Sequence, residues 1–211
     1  MANIIVLGGT GYTGAAVVAE ARARGHQVTS VSRSKPTSAV DGVTYVASDA
    51  SDIGRLLEDA DVLVAALSPR GDTAGTLRSL YTKLAQDAAK NKARFIAIGG
   101  FSSTRPTQGA PRFIDSDDIH PQFRAEITEM HTILGSLETD APAADWLFVS
   151  PAAEFGAHAP GEPLGHYRVS ADVALFDDAG KSAISGADFA KAVVDEIERP
   201  TKHNAQIHFA Y

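Results

Sequence analysis

The sequence predicts an α/β fold in which helices cover both faces of a doubly wound parallel sheet. Three observations favour this class: short β-branched runs, alanine- and leucine-rich stretches that alternate with them, and glycines directly after the first apolar run. Apolar residues make up 44% of the 211 residues and charged residues 21%, as in ordinary globular chains. We therefore expect one domain spanning residues 1–211.

The first hundred residues alternate strand and helix patterns. The predicted strands are 4–7, 27–32, 43–47, 62–66 and 94–98, and the predicted helices are 13–24, 52–57 and 75–92. This spacing is typical of right-handed βαβ units, which build a parallel sheet. The apolar stripe of helix 75–92 predicts a surface that faces either the core or a second copy of the chain.

The alternation becomes irregular in the second half. Here the sequence predicts a long loop at 102–121, helices at 121–137 and 186–199, and strands at 146–149, 173–176, 182–184 and 207–211. Residues from about 151 to 185 are rich in glycine, proline and histidine. We expect them to form much of a small C-terminal lobe on the substrate side of the same sheet.

The glycine-rich stretch lies between the first strand and the first helix, which makes it a strong signal. Gly8 can turn the chain out of the strand, Gly11 lets a phosphate approach the backbone, and Gly14 lets the helix pack closely. The helix start offers free N–H groups to anions. The residues predicted to surround a pyrophosphate are Gly8, Thr10, Gly11, Tyr12, Thr13 and Gly14. No Gly-Lys-Ser/Thr follows, so the pattern indicates a Rossmann-like dinucleotide site and not a nucleoside-triphosphate site.

Arg33 stands at the end of the second predicted strand, where NAD-selective proteins of this type carry an acid. A guanidinium can hold a phosphate by two parallel hydrogen bonds. Because no acid occurs between Val31 and Lys35, the sequence favours NADP(H) over NAD(H). The alternative interpretation of Arg33 and Lys35 is a solvated surface pair.

Several polar residues follow strands at the edge where open α/β sheets bind ligands. Asp49 follows the third strand and either contacts an adenine or caps a helix. Ser102 follows the fifth strand, and His158 and His166 follow the sixth. These last three are the candidate catalytic residues, although a turn role suits Ser102 equally well.

Composition excludes several classes of function. The chain has no cysteine, so disulfides and thiol chemistry are excluded, and the absence fits a cytoplasmic protein. A net charge of −7 argues against nucleic acid as a partner. The scattered histidines predict no metal site, and neither a signal peptide nor a membrane span is expected.

The chain resembles atypical short-chain dehydrogenases/reductases of the NAD(P)H-binding, NmrA-like class. Within that class it is similar to the bacterial NADH-flavin reductase-like proteins and to biliverdin-IXβ/flavin reductase. The segments that carry the resemblance are 8–14, 28–33, 48–49, 67–70, 130–131, 150–155, 165–168 and 183–185. Beyond the residues above, the resemblance implies Asp49 and Ala50 beside adenine, Leu67, Ser68 and Arg70 along the ribose, and Gly99, Gly100 and Pro151 near the nicotinamide.

The sequence departs from the superfamily at the proton donor. The usual Tyr-x-x-x-Lys pair is absent, because Tyr81 is followed four residues later by Ala85 and Tyr167 by Ala171. The serine and two histidines of the flavin reductase relative are replaced by Gly100, Ile127 and Ala153. Hydride transfer to a stacked flavin needs no protein acid, whereas carbonyl reduction normally does.

The resemblance and these departures leave three hypotheses. The first is an NADPH-dependent reductase, monomeric or homodimeric, that passes hydride to a small-molecule flavin or quinone acceptor. The second is a non-catalytic NADP(H)-binding redox sensor of the NmrA-like type. A sugar-nucleotide epimerase or dehydratase is the third, and the missing Tyr-x-x-x-Lys pair argues against it.

Overall fold

The computed structural model describes residues 1–36, 38–117 and 119–211. Its strands are β1 (Asn3–Leu7), β2 (Gln27–Ser32), β3 (Thr44–Ala47), β4 (Val62–Ala65), β5 (Arg94–Ile98), β6 (Trp146–Ser150), β7 (Arg168–Ser170) and β8 (Ala205–Ala210). Its helices are α1 (Tyr12–Ala23), α2 (Leu77–Lys90), α3 (Pro121–Asp140) and α4 (Gly186–Glu198). The strands form one sheet in the order β3-β2-β1-β4-β5-β6-β8-β7.

The sheet is parallel except at one edge, where β7 pairs antiparallel with β8. The strand order reverses between β1 and β4, because β1 is followed in the sheet by β2 on one side and β4 on the other. Ligands of doubly wound sheets bind at the carboxyl ends of the strands beside such a reversal. The predicted fold class is therefore confirmed, and the topology marks where a cleft should open.

Alternating side chains of the buried strands fill two cores, one on each face of the sheet. Ile5 and Leu63 point to the face covered by α2 and α3, whereas Ile4 and Val64 point to the face covered by α1 and α4. The stripe on α2 lies in the first of these cores, where Tyr81 is completely buried. Of its two predicted roles, the one facing the core is confirmed.

Most predicted elements lie within two residues of the observed ones; the helix predicted at 121–137 continues to Asp140, and three other elements differ more. Residues 52–57 form no α-helix, since the chain makes a 3₁₀ turn at Gly54–Asp59. The predicted strands at 173–176 and 182–184 are wrong: each contributes only a single bridge, Val173 to Arg105 and Ala183 to Glu154. The short strand β7 was not predicted, because three residues with two polar side chains give too weak a pattern.

Residues 151–185 run mostly as irregular chain, and β7 joins this segment to the sheet. Throughout the described residues, the model contains no helix long and apolar enough to cross a lipid bilayer.

Candidate functional site

A two-part cleft opens at the carboxyl ends of the strands. One part, here called the β2 half, has a volume of about 510 Å³ and is lined by residues that follow β2 and β3. The other, here called the β6 half, has a volume of about 540 Å³ and is lined by residues that follow β5 and β6. The residues shared by both linings are Gly11, Ala66, Leu67, Ser68 and Arg70. The two halves therefore meet at the glycine-rich turn, as the two ends of a dinucleotide site would.

Glycine is required in the turn for close backbone packing. Gly8 has a φ of +73°, and a Cβ built on it would lie 2.4 Å from the carbonyl oxygen of Ala66. A Cβ on Gly14 would lie 2.2 Å from the carbonyl oxygen of Gly8. Gly8 lines the β2 half, whereas Gly14 is buried behind it and sets the distance between α1 and the turn.

The first turn of α1 is open toward the junction of the two halves. Among the described residues no side chain caps the helix at Gly11, and its first turn contains no acid. Thr10 lines the β2 half, and Tyr12 and Thr13 line the β6 half. Free N–H groups, the positive end of the helix dipole and bare glycine backbone fit a bound pyrophosphate.

The β2 half contains Arg33 beside two carboxylates. The Arg33 guanidinium lies 2.9 Å from Asp72, and both side chains are largely exposed. Asp49 accepts hydrogen bonds from the backbone and the hydroxyl of Ser51, and these bonds lower its pKa, with a further contribution from Arg33. Ala50 also lines this half. The structure thus brings Arg33, Asp49 and Ala50 together.

The loop after β4 is held from two sides. The Tyr81 hydroxyl accepts a hydrogen bond of 3.1 Å from the Leu67 N–H and donates one of 3.1 Å to the Ala65 carbonyl. Arg70 pairs with Glu126 of α3 at 2.9 Å across the β6 half. Burial raises the pKa of Tyr81, so its hydroxyl stays protonated. The sequence excluded Tyr81 as the superfamily acid because Ala85 stands where the lysine would be, and the structure shows that its hydroxyl holds the loop.

The β6 half is floored by the ends of β5 and β6. Gly99, Gly100 and Pro151 all line it, and a Cβ on Gly99 would lie 2.1 Å from the Phe148 ring. Glycine at position 99 therefore keeps the floor close to the sheet. Ser102 lines the same half, half-buried.

His158 and His166 lie in different places. His158 is exposed at the rim of the β6 half. His166 lies outside the cleft, with Nδ1 3.3 Å from the Leu164 carbonyl and its ring 5.8 Å from that of Tyr211. The structure brings His158 and Ser102 to one cavity and does not bring His166 there.

A buried polar network behind the β6 half was missed by the sequence analysis. The Ser103 carbonyl accepts hydrogen bonds from Arg112 and from Gln206 Nε2, the latter at 3.1 Å. Gln206 also donates to the Ser150 hydroxyl at 2.9 Å. The His131 Nδ1 lies 3.2 Å from the Ser103 hydroxyl oxygen. No local pattern could reveal this network, because its members lie up to 103 residues apart.

His208 belongs to the same region and is completely buried. Its Nδ1 lies 3.1 Å from the Ser150 carbonyl, and burial lowers its pKa to about 4. The ring is therefore neutral at physiological pH. In the described part of the chain its Nε2 has no hydrogen-bond partner.

Asp188 fixes the segment that follows β6. Its nearly buried carboxylate accepts hydrogen bonds from the Leu164 N–H at 2.6 Å, the Gly165 N–H at 3.1 Å and the Tyr211 hydroxyl at 2.6 Å. These donors hold the pKa of Asp188 below its usual value despite burial. The sequence predicts a helix that begins at residue 186, and only the structure shows that Asp188 in its first turn also anchors this loop.

Among the described residues, no group of three histidine or acidic side chains is placed to hold a metal ion.

The fold and the cleft together define a Rossmann-like dinucleotide-binding protein. The family model of NAD(P)H-binding proteins matches residues 8–200, so the chain belongs to this NAD(P)H-binding family. The family and the structural neighbours below place it among the atypical short-chain dehydrogenase/reductase, NmrA-like proteins, as the sequence predicted. A nicotinamide dinucleotide is therefore the cofactor class, and the bare glycine turn fits its pyrophosphate.

Three solved structures are similar over the whole chain. A "putative exported protein" from Burkholderia pseudomallei is 32% identical, with a TM-score of 0.87 and coverage of 100% of both chains. A "putative NADH-flavin reductase" from Streptococcus pneumoniae TIGR4 is 27% identical, with a TM-score of 0.86 and coverage of 100% of this chain and 99% of that one. A "putative epimerase" from Bacteroides thetaiotaomicron is 27% identical, with a TM-score of 0.86 and coverage of 100% and 98%.

Proposed function

We propose that this protein is an NAD(P)H-dependent oxidoreductase that prefers NADPH and reduces a flavin or quinone. The observation that carries the proposal is the continuous two-part cleft, which has a cationic side chain at one end and a glycine- and proline-lined cavity at the other. Similarity to the Streptococcus pneumoniae protein described as an NADH-flavin reductase supports the reaction class.

The proposed cofactor site uses backbone more than side chains. Thr10, Gly11 and Thr13 surround the pyrophosphate at the start of α1, with Gly8, Tyr12 and Gly14 shaping the turn. Asp49 and Ala50 flank the adenine, while Leu67, Ser68 and Arg70 follow the ribose side. Gly99, Gly100 and Pro151 leave room for the nicotinamide, which supplies a hydride when bound.

The NADPH preference rests on the Arg33–Asp72 pair. An exposed ion pair contributes little stability, so a ribose 2′-phosphate can replace the Asp72 carboxylate as the partner of Arg33. NADH offers no anion for this exchange. Asp72 thus lowers NADPH affinity by competing for Arg33, although the guanidinium still favours NADPH over NADH.

The reaction class follows from what the β6 half contains. A flavin or quinone is flat and apolar, and it fits a cavity lined by Phe101, Ile127, Met130, Pro151 and Phe155. A flavin would visit this cavity as a substrate. We place the reaction in the cytoplasm, and a monomer or homodimer would suit it equally.

The test is NADPH oxidation by the purified protein with FMN or menadione, with NADH in parallel. Arg33→Ala should weaken NADPH binding about 10- to 100-fold while leaving NADH unchanged, because one or two charge-assisted hydrogen bonds are lost. Asp72→Asn should strengthen NADPH binding severalfold, and the control Arg55→Ala, which changes an exposed arginine outside the cleft, should have no effect.

Equal affinity for NADH and NADPH in the unaltered protein would contradict the role of Arg33. Tight NADPH binding with no turnover of any acceptor would favour the NmrA-like redox sensor instead. A sensor should also distinguish NADP⁺ from NADPH in binding alone.

A further inference from the structure

The Ser103–His131 pair lies at the wall of the β6 half, with His131 behind Ser103. Ser103 lines this cavity, and its hydroxyl oxygen lies 3.2 Å from His131 Nδ1. Its carbonyl accepts hydrogen bonds from Arg112 and Gln206, which hold the backbone of Ser103 in place. A serine at a cavity wall whose hydroxyl contacts an imidazole can pass a proton to a group bound in the cavity.

We propose that Ser103 and His131 form a proton relay that serves an acceptor whose reduced form is an oxygen anion, such as a quinone. The proposal rests on the proposed reductase function and narrows its acceptor. It supplies the acid that the missing Tyr-x-x-x-Lys pair leaves unassigned.

The two electrons and the hydrogen of a hydride convert the quinone into a hydroquinone anion. The Ser103 O–H bond breaks as its proton passes to the anionic oxygen, while the Nδ1 proton of the His131 imidazolium passes to Ser103 Oγ. His131 is left neutral, and because it is only half-buried it can take a new proton from solvent.

The surroundings of His131 favour proton release. Burial, then the positive charge of Arg112, and to a lesser degree that of Arg105, lower the pKa of His131 from its ordinary 6.5. Asp115 and Glu138 oppose this shift but do not cancel it. The imidazolium is therefore a stronger acid than a free one, and its population grows as the pH falls through the lowered pKa of His131.

Two acceptors separate the relay from the reductase function. Hydride transfer to FMN leaves a stable reduced flavin anion and needs no protein acid, whereas menadione needs a proton on oxygen. Ser103→Ala should lower kcat with menadione by about 100-fold or more, within the usual range for general acid catalysis, and change kcat with FMN by less than about threefold.

The matched control is Ser136→Ala. Ser136 is also buried, but its hydroxyl bonds the Ile133 carbonyl of its own helix. This variant should leave both acceptors unaffected. His131→Asn should abolish the rise of the menadione rate as the pH falls through the His131 pKa, a change that a merely structural role would not produce.

If Ser103→Ala lowered kcat equally with both acceptors, the relay would be overturned and the reductase function would remain. The same conclusion would follow if the unaltered protein reduced FMN but not menadione. A second readout needs no turnover: added hydroquinone should shift the ¹⁵N resonances of the His131 ring, and Ser103→Ala should remove the shift. If neither acceptor is reduced, the reductase function falls, and absence of this shift would overturn the relay as well.

Discussion

The two halves of the cleft are built in different ways. The β2 half is formed by a glycine turn, the start of α1 and the residues that follow adjacent strands. The β6 half is backed by side chains that come from distant parts of the chain, such as Arg112 with Gln206. The first half therefore suits a cofactor shared by many proteins, and the second can vary with the acceptor.

The largest effect should come from adding a methyl group to the glycine turn. Gly8→Ala forces a left-handed φ on alanine and places its Cβ 2.4 Å from the Ala66 oxygen. We expect the free energy of unfolding to fall by about 4 kcal/mol, with loss of NADPH binding. Urea denaturation and fluorescence titration measure the two effects.

The matched control is Gly135→Ala in α3, where an added Cβ meets no atom of the described residues within 4 Å. There the same substitution should stabilise the protein by about 0.5–1 kcal/mol. If both substitutions changed the free energy of unfolding alike, Gly8 would not be required for close packing of the turn.

A smaller loss should follow from altering the anchor of the β6 half. Asp188→Asn removes the charge that accepts hydrogen bonds from four donors, and we expect a loss of about 2 kcal/mol near neutral pH. Because the folded pKa is lowered, the advantage of aspartate is fully present above the unfolded value of 3.8. It should vanish as the pH falls through the folded pKa. An advantage that grew in acid would contradict this assignment.

The smallest effect should come from Tyr81→Phe. The variant removes one hydroxyl that bonds Ala65 and Leu67 between the two halves, at a cost of about 1 kcal/mol. NADPH affinity should fall only a few fold, since the loop keeps its Arg70–Glu126 pair. Isothermal titration measures this change, and an unaltered affinity would show that the hydroxyl does not hold the loop.

The difference between the two halves also explains how much of the site the sequence could predict. The β2 half could be predicted because Gly8, Gly11 and Arg33 lie within one βαβ unit, where local spacing fixes their positions. The Ser103–His131 pair could not, since two residues from a loop and a helix meet only through tertiary packing. For the same reason His166 was a reasonable candidate by chain position and yet lies outside the cleft.

The sequence also could not predict which residue pairs with Arg33. Asp72 lies in a 3₁₀ turn after β4, 39 residues away, and only the parallel pairing of the sheet brings the two strand ends together. The interpretation of Arg33 as a solvated surface residue and its interpretation as a phosphate ligand both fit this geometry, because the pair is exposed and lines the cleft.

We propose that the cleft delivers a hydride from NADPH to an acceptor in the β6 half. The most direct test is transient reduction of FMN with NADPH carrying deuterium on one or the other face of C4. We expect that deuterium on only one of the two faces slows the reduction and is transferred from the nucleotide, because the cleft holds the nicotinamide in one orientation. Label loss from both faces alike, or binding of NADPH without any reduction, would contradict it.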